Sequence, residues 1–138
     1  KEKVPGTEIL YVTGTDMTQV KSTITAKLQS TPDADLVVGL GAPFTLTAVD
    51  AVAETGSKAK VASFDLNADL AQAVIDGTVQ FTVDQQPYLQ GYLAVDSLWL
   101  YNNGGFESGG GQPVYTGPTI IDSENAEAVL EQAEKGIR

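Results

Sequence analysis

Short continuous apolar runs alternate along this chain with stretches whose apolar residues recur every three or four positions. Leu36, Val37, Val38 and Leu40 make an unbroken run of the kind buried in a parallel sheet. Residues 9–12, 61–64 and 79–83 carry the same texture, with Val, Ile, Thr and Phe favouring the pleat, and are read as further strands. Between them lie amphipathic segments. Residues 17–29 place Met17, Val20, Ile24 and Leu28 on one helical face before Thr31-Pro32-Asp33 stops the turn. Residues 44–54 form a second helix ended by Gly56, and residues 68–76 a third ended by Gly77, both glycines suiting a left-handed cap. Helices that separate parallel strands must cross over right-handedly. The expected fold class is α/β, a parallel sheet flanked by helices on both faces.

The texture changes after Pro87. Residues 88–101 hold Leu89, Tyr92, Leu93, Val95, Leu98, Trp99 and Leu100, more apolar surface than a helix buried on one side requires. This helix calls for a large partner surface, with Trp99 as a packing residue. Residues 102–111 contain five glycines and read as a flexible loop. Residues 114–121 look extended, and residues 124–135 form a helix with Ser123 as N-cap, Gly136 as C-terminal cap and Ala126, Val129, Leu130 and Ala133 as its buried stripe. No internal repeat is apparent.

Composition removes several functions. The 138 residues, 42% hydrophobic, suffice for one core. A net charge of −10 with no basic run argues against nucleic acid, whose phosphates demand Lys and Arg. The absence of both Cys and His takes away thiol nucleophiles, imidazole bases and the usual zinc ligands. The glycine clusters around Gly104 and Gly109 lack the spacing of a phosphate cradle, and no cofactor or metal is expected. Neither a signal-peptide pattern nor an apolar run of about 18 residues occurs, so the expectation is a soluble chain, any export signal having been removed or never having been on this piece.

The candidate chemistry lies at strand ends. Asp65 follows the strand ending at Phe64, and Gln85 follows the next one; open α/β sheets bind their ligands at the carboxyl ends of strands. The plain alternatives are that Asp65 caps the helix starting near Ala68 and that Gln85 sits on a solvated loop. Asp16, after Thr13-Gly14-Thr15, is a further ligand candidate or an N-cap. Phe44 stacks on a ligand or belongs to the core. Asn67 is read as a cap or turn residue with a possible ligand role.

Residues 36–91 resemble a known family. Gly39-Leu40-Gly41-Ala42-Pro43, the strand end Ser63-Phe64-Asp65, the turn Ala73-Val74-Ile75-Asp76-Gly77-Thr78-Val79 and the segment from Thr82 through Asp84-Gln85-Gln86-Pro87 to Gly91 are similar, in order and spacing, to the carboxyl-terminal lobe of type I periplasmic sugar-binding proteins, with ribose-binding members nearest. In that family the corresponding Asp and Gln hydrogen-bond sugar hydroxyls, a role the resemblance carries to Asp65 and Gln85. The family's Asn-Asp after the preceding strand is Gly41-Ala42 here, which replaces a polar clamp at Gly41 by backbone and a small apolar surface and argues against ribose itself. Sugar hydroxyls both donate and accept, matching a carboxylate acceptor beside an amide that does both.

The resemblance further implies a non-enzymatic solute-binding protein, periplasmic or otherwise outside the cytoplasm, that delivers a monosaccharide or polyol to the membrane permease of an ABC importer. It implies three parts: residues 1–85 as the sheet and helices of the carboxyl-terminal lobe, residues 86–113 as a crossing segment whose helix packs on the other lobe, and residues 114–138 as a return strand and terminal helix. On this comparison the chain is a fragment, and a companion amino-terminal lobe is expected as missing residues or a separate chain. Two alternatives stand beside it: the sugar-effector domain of a LacI-type repressor, which needs a DNA-binding segment upstream, and a glycosidase using Asp16 and Asp65 as paired carboxylates.

Overall fold

A computed structural model describes residues 3–12 and 16–138, so Thr13, Gly14 and Thr15 lie outside the described residues. Helix α1 (Met17–Ser30) begins where Asp16 Oδ1 accepts the backbone N–H groups of Thr18 (2.9 Å) and Gln19 (3.4 Å). Its 3.6-residue period brings Val20, Ile24 and Leu28 to one buried face. Strand β1 (Leu36–Leu40) leads to α2 (Ala42–Thr55), with Pro43 in the first turn and Gly56 left-handed at φ 65° behind it. Then come β2 (Lys60–Phe64), α3 (Ala68–Ile75), β3 (Phe81–Asp84), α4 (Pro87–Gly104), a short 3₁₀ turn at Ser108–Gly111, β4 (Thr119–Asp122) and α5 (Ala126–Glu134).

The sheet runs β1-β2-β3-β4. The first three strands are parallel, with Val37 beside Val61 and Ser63 beside Thr82, and β4 returns antiparallel to β3, setting Ile121 beside Thr82. The sheet is therefore mostly parallel with one antiparallel edge. The α/β class and the mostly parallel sheet are as expected. Strands added successively in one direction by right-handed crossovers carry their helices to the same side, and covering the second face requires the strand order to reverse. Buried Val61, Leu70, Val74, Val79, Ile121, Ala126 and Val129 join α3, α5 and the sheet in one core; Val20, Ile24, Leu28, Ala48, Ala51 and Ala59 join α1 to α2 beside it. Leu36, Val38, Leu40 and Ile120, whose side chains alternate to the opposite face, are exposed.

One close approach holds α2 against the sheet. A Cβ on Gly39 would meet Thr45 Oγ1 at 2.2 Å, so only glycine leaves room for the buried Thr45 hydroxyl, which lies 2.6 Å from Ser63 Oγ and 3.0 Å from the Gly41 carbonyl oxygen.

Three local expectations are corrected. Residues 9–12 form no strand: Ile9 and Tyr11 are exposed, and the edge of β1 away from β2 receives no described partner, without whose ladder of hydrogen bonds an isolated strand has no stability. At α5 the N-cap position is Asn125 rather than Ser123, because Asp122 Oδ1 takes the Glu124 N–H (3.0 Å) and Asn125 Oδ1 takes the Asp122 N–H (3.0 Å), tightening a turn before the helix. The glycine-rich loop is shorter than expected, since α4 continues to Gly104 before Gly105 caps it at φ 67°.

Candidate functional site

A short bridge of side chains links the carboxyl ends of β2 and β3. Asp65, the first residue beyond β2, has φ 73°, a left-handed conformation that Asp tolerates better than most side chains. Its backbone N–H donates to Val83 O at 2.9 Å and its carbonyl oxygen accepts from the buried Thr82 hydroxyl. These two bonds tie the turn to β3. The side chain is thereby brought to Gln85, whose Nε2 donates to Asp65 Oδ1 at 2.5 Å. Both residues are half-buried.

Gln85 is held from behind as well. Its carbonyl oxygen accepts from Thr116 Oγ1 and from Gln90 Nε2, each at 2.9 Å, and Gln90 Nε2 also lies 3.3 Å from Gln85 Oε1. Gln86 follows at φ 58°, with its backbone N–H on Asp84 Oδ1 at 2.8 Å and its side-chain amide donating to Thr116 O. The strand thus ends in a braced turn from which Gln85 projects and α4 departs. Beside Gln85 an open groove of about 570 Å³ is lined by Phe64, Val83, Gln85, Gln90, Tyr115 and Thr116 among others. Its lining combines apolar and aromatic side chains with amides and a hydroxyl, which suits a ligand with both polar edges and an apolar face. A second groove, of about 500 Å³, runs along α4 past Tyr88, Tyr92 and Val95, away from Asp65 and Gln85.

The other candidates occupy the same end of the lobe without joining the bridge. Asp16 caps α1, and Asn67 caps α3 through Oδ1 to the Leu70 N–H at 2.8 Å. Asn67, not Asp65, therefore does the capping ahead of Ala68, which leaves Asp65 unspent on the helix. Gly41, at φ 132°, precedes α2, and Phe44 is half-buried against the core between α1 and α2. Of the two carboxylates weighed as a glycosidase pair, Asp16 is engaged in capping α1 and Asp65 is hydrogen-bonded to the Gln85 amide. Among the described residues, no three His, Cys, Asp or Glu side chains converge to hold a metal ion, and no helix is long and apolar enough to cross a membrane.

Sequence reading did not reach Gln90, Thr116 or Tyr115. Gln90 was within reach of a helical count, lying on the first turns of α4 five residues after Gln85. Thr116 and Tyr115 had no local signal, since they arrive from 30 residues away when β4 pairs with β3.

Residues 2–105 match the model of the periplasmic binding protein domain. Over 99 residues the chain is 31% identical to a xylose/arabinose-binding protein of Sulfolobus acidocaldarius, a match that covers 67% of this chain and 25% of that protein. A solved carbohydrate transporter from Acidothermus cellulolyticus 11B, in complex with myo-inositol, is 49% identical, with a TM-score of 0.89 over 94% of this chain and 45% of the other. An arabinose-binding protein from Geobacillus stearothermophilus, 25% identical with a TM-score of 0.68, covers 82% of this chain and 41% of that one. The chain thus spans a quarter of the first of these relatives and less than half of the two solved ones.

Proposed function

The chain belongs to the periplasmic binding protein domain family, and on that premise we propose that it is part of a solute-binding protein that holds a monosaccharide or related polyol between two lobes and delivers it to an ABC importer. The observation that carries this reading is the Asp65–Gln85 bridge, 2.5 Å long, at the carboxyl ends of adjacent parallel strands. A carboxylate acceptor next to an amide that donates and accepts is complementary to vicinal hydroxyls, and a ligand entering there takes over hydrogen bonds the two side chains otherwise make to each other. Hydrogen bonds to the charged member contribute about 1.5–3 kcal/mol each. Gly41, Phe44, Asn67 and Asp16 stand at the same end of the lobe and are proposed as its rim, behind Asp65 and Gln85 in importance.

Cyclic polyols and pentoses are the first candidate ligands, a choice supported by the myo-inositol of the solved relative and the pentoses named for the other two. All three relatives are named for carbohydrate binding or transport, which supports the transport role over the repressor alternative and over catalysis. The protein accordingly works outside the cytoplasmic membrane, with the importer's permease as its macromolecular partner. In this reading residues 86–113 cross to a companion lobe on which α4 packs, and residues 114–138 return; the support is that α4 has no buried residue of its own.

Calorimetric titration of the intact two-lobed protein with myo-inositol, D-xylose and L-arabinose tests the proposal. Saturable one-to-one binding of at least one is expected, and heats of dilution alone for all three, and for a wider panel of hexoses and polyols, refute it.

A further inference from the structure

The two buried side-chain atoms left without a hydrogen bond among the described residues lie together: Asp84 Oδ2 and Arg138 Nε. They are 3.1 Å apart, close enough for an ion pair, although not aligned as a hydrogen bond. Asp84 is fully buried and Arg138 keeps a quarter of its side chain exposed. A carboxylate taken out of water so completely is tolerated only beside a compensating charge. Arg138, beyond α5, supplies it from 54 positions along the chain.

What this carboxylate holds gives the pair its consequence. Asp84 Oδ1 accepts the backbone N–H of Gln86 at 2.8 Å, stabilising the left-handed turn at φ 58° that a glutamine would not otherwise favour. From that turn Gln85 reaches Asp65, and α4 begins at Pro87. We propose that Asp84 and Arg138 form a charge clamp that positions Gln85, making Arg138 a positioning residue for the binding site; the functional side of this inference rests on the sugar-binding reading above. If Arg138 is lost, the stranded carboxylate turns toward water, the Gln86 N–H loses its acceptor, and Gln85 loses its fixed aim.

Two measurements on the intact protein test the clamp. The first needs no ligand. In Arg138→Gln, hydrogen exchange at the Gln86 amide is expected to accelerate about tenfold or more while Val20 and Ala48, in the α1–α2 core, keep their protection, whereas Arg138→Lys retains most of it because the charge remains. Uniform acceleration across the lobe, or none at Gln86, overturns the proposal. Should Arg138→Gln fail to fold, Asp84→Leu paired with Arg138→Leu removes both charges together with the acceptor, and the same local loss of protection is expected. The second measurement is a mutant cycle with myo-inositol, D-xylose and L-arabinose as probes. Arg138→Gln is expected to weaken binding about tenfold in the parent and not further in a Gln85→Ala background; equal losses in both backgrounds, or no loss in the parent, refute action through Gln85. A parent that binds neither these probes nor the wider panel of hexoses and polyols defeats the sugar-binding reading alone, and the exchange pattern still decides the clamp.

Discussion

Asp65 owes its orientation to a left-handed backbone that Asp and Asn accept more readily than alanine does. Asp65→Ala therefore removes the carboxylate and strains the turn together, and Asp65→Asn separates the two effects by keeping the backbone preference. Asp65→Ala is expected to weaken sugar binding at least about tenfold, the equivalent of one charge-assisted hydrogen bond, with Asp65→Asn losing less. Titration calorimetry at a temperature where both variants are folded reads the difference, and an unchanged dissociation constant for Asp65→Ala removes the residue from the site. Gln85 has a different signature. Gln85→Ala lowers affinity for every ligand, whereas Gln85→Glu deletes the donor and sets a second carboxylate against Asp65, so it is expected to reorder preference among myo-inositol, xylose and arabinose. Matching affinities of the two variants across the panel contradict this. Gly39 acts on stability alone. A methyl group 2.2 Å from Thr45 Oγ1 must push α2 off the sheet, and Gly39→Ala is expected to cost about 1–3 kcal/mol in denaturant titration, as for other overpacked sites.

At the scale of elements, α4 is the anomaly. Its residues include Tyr92, Val95, Leu98 and Trp99, each more than half exposed, and the groove along it is part of that uncovered surface. The sequence showed the excess of apolar positions on more than one side, and the structure shows that no described element buries them. An apolar surface of this breadth marks an interface. The pair Val95→Lys and Leu98→Lys gives opposite results in two settings if α4 is the crossing helix. In the intact protein it lowers the unfolding temperature, since covering one such side chain contributes about 1.5–3 kcal/mol. In the isolated chain, where both face water, it raises solubility. Stability of the intact protein that is indifferent to both charges rules out a covered α4. Helices α1 and α5 behave conventionally: each presents the stripe expected from its periodicity, with Leu130 of α5 only half-buried beside Val129 and Ala133.

For the whole molecule, several features stay uncovered. One face of the sheet exposes Leu36, Val38 and Leu40, the outer edge of β1 lacks a described partner, and α4 stands apart. Residues 1–138 expressed alone are expected to bind an apolar dye or self-associate despite the net charge of −10, and to bind sugar far more weakly than the two-lobed protein; supplying the other lobe, even as a separate chain, should restore both properties. A monodisperse 138-residue monomer with micromolar affinity for a monosaccharide overturns the two-lobe proposal. Much of this was legible from local signals. Hydrophobic period located four of the predicted strands' cores and every helix, glycines 56, 77 and 136 marked helix ends, and the strand-end positions of Asp65 and Gln85 followed from the order of elements, because each of these depends on residues within a turn or two of one another. Residues 9–12 have the same strand-like composition, yet form no strand, because pairing depends on a neighbour that composition does not encode. The side of the sheet that the helices cover depends on crossover handedness and strand order together. The Asp65–Gln85 contact, the arrival of Thr116 behind Gln85 and the pairing of Asp84 with Arg138 join positions 20, 31 and 54 residues apart. The sequence by itself determined the elements and the chemistry available at their ends; only the tertiary structure decided which of those groups meet, because hydrogen bonds and ion pairs act over a few ångströms of space and are blind to distance along the chain.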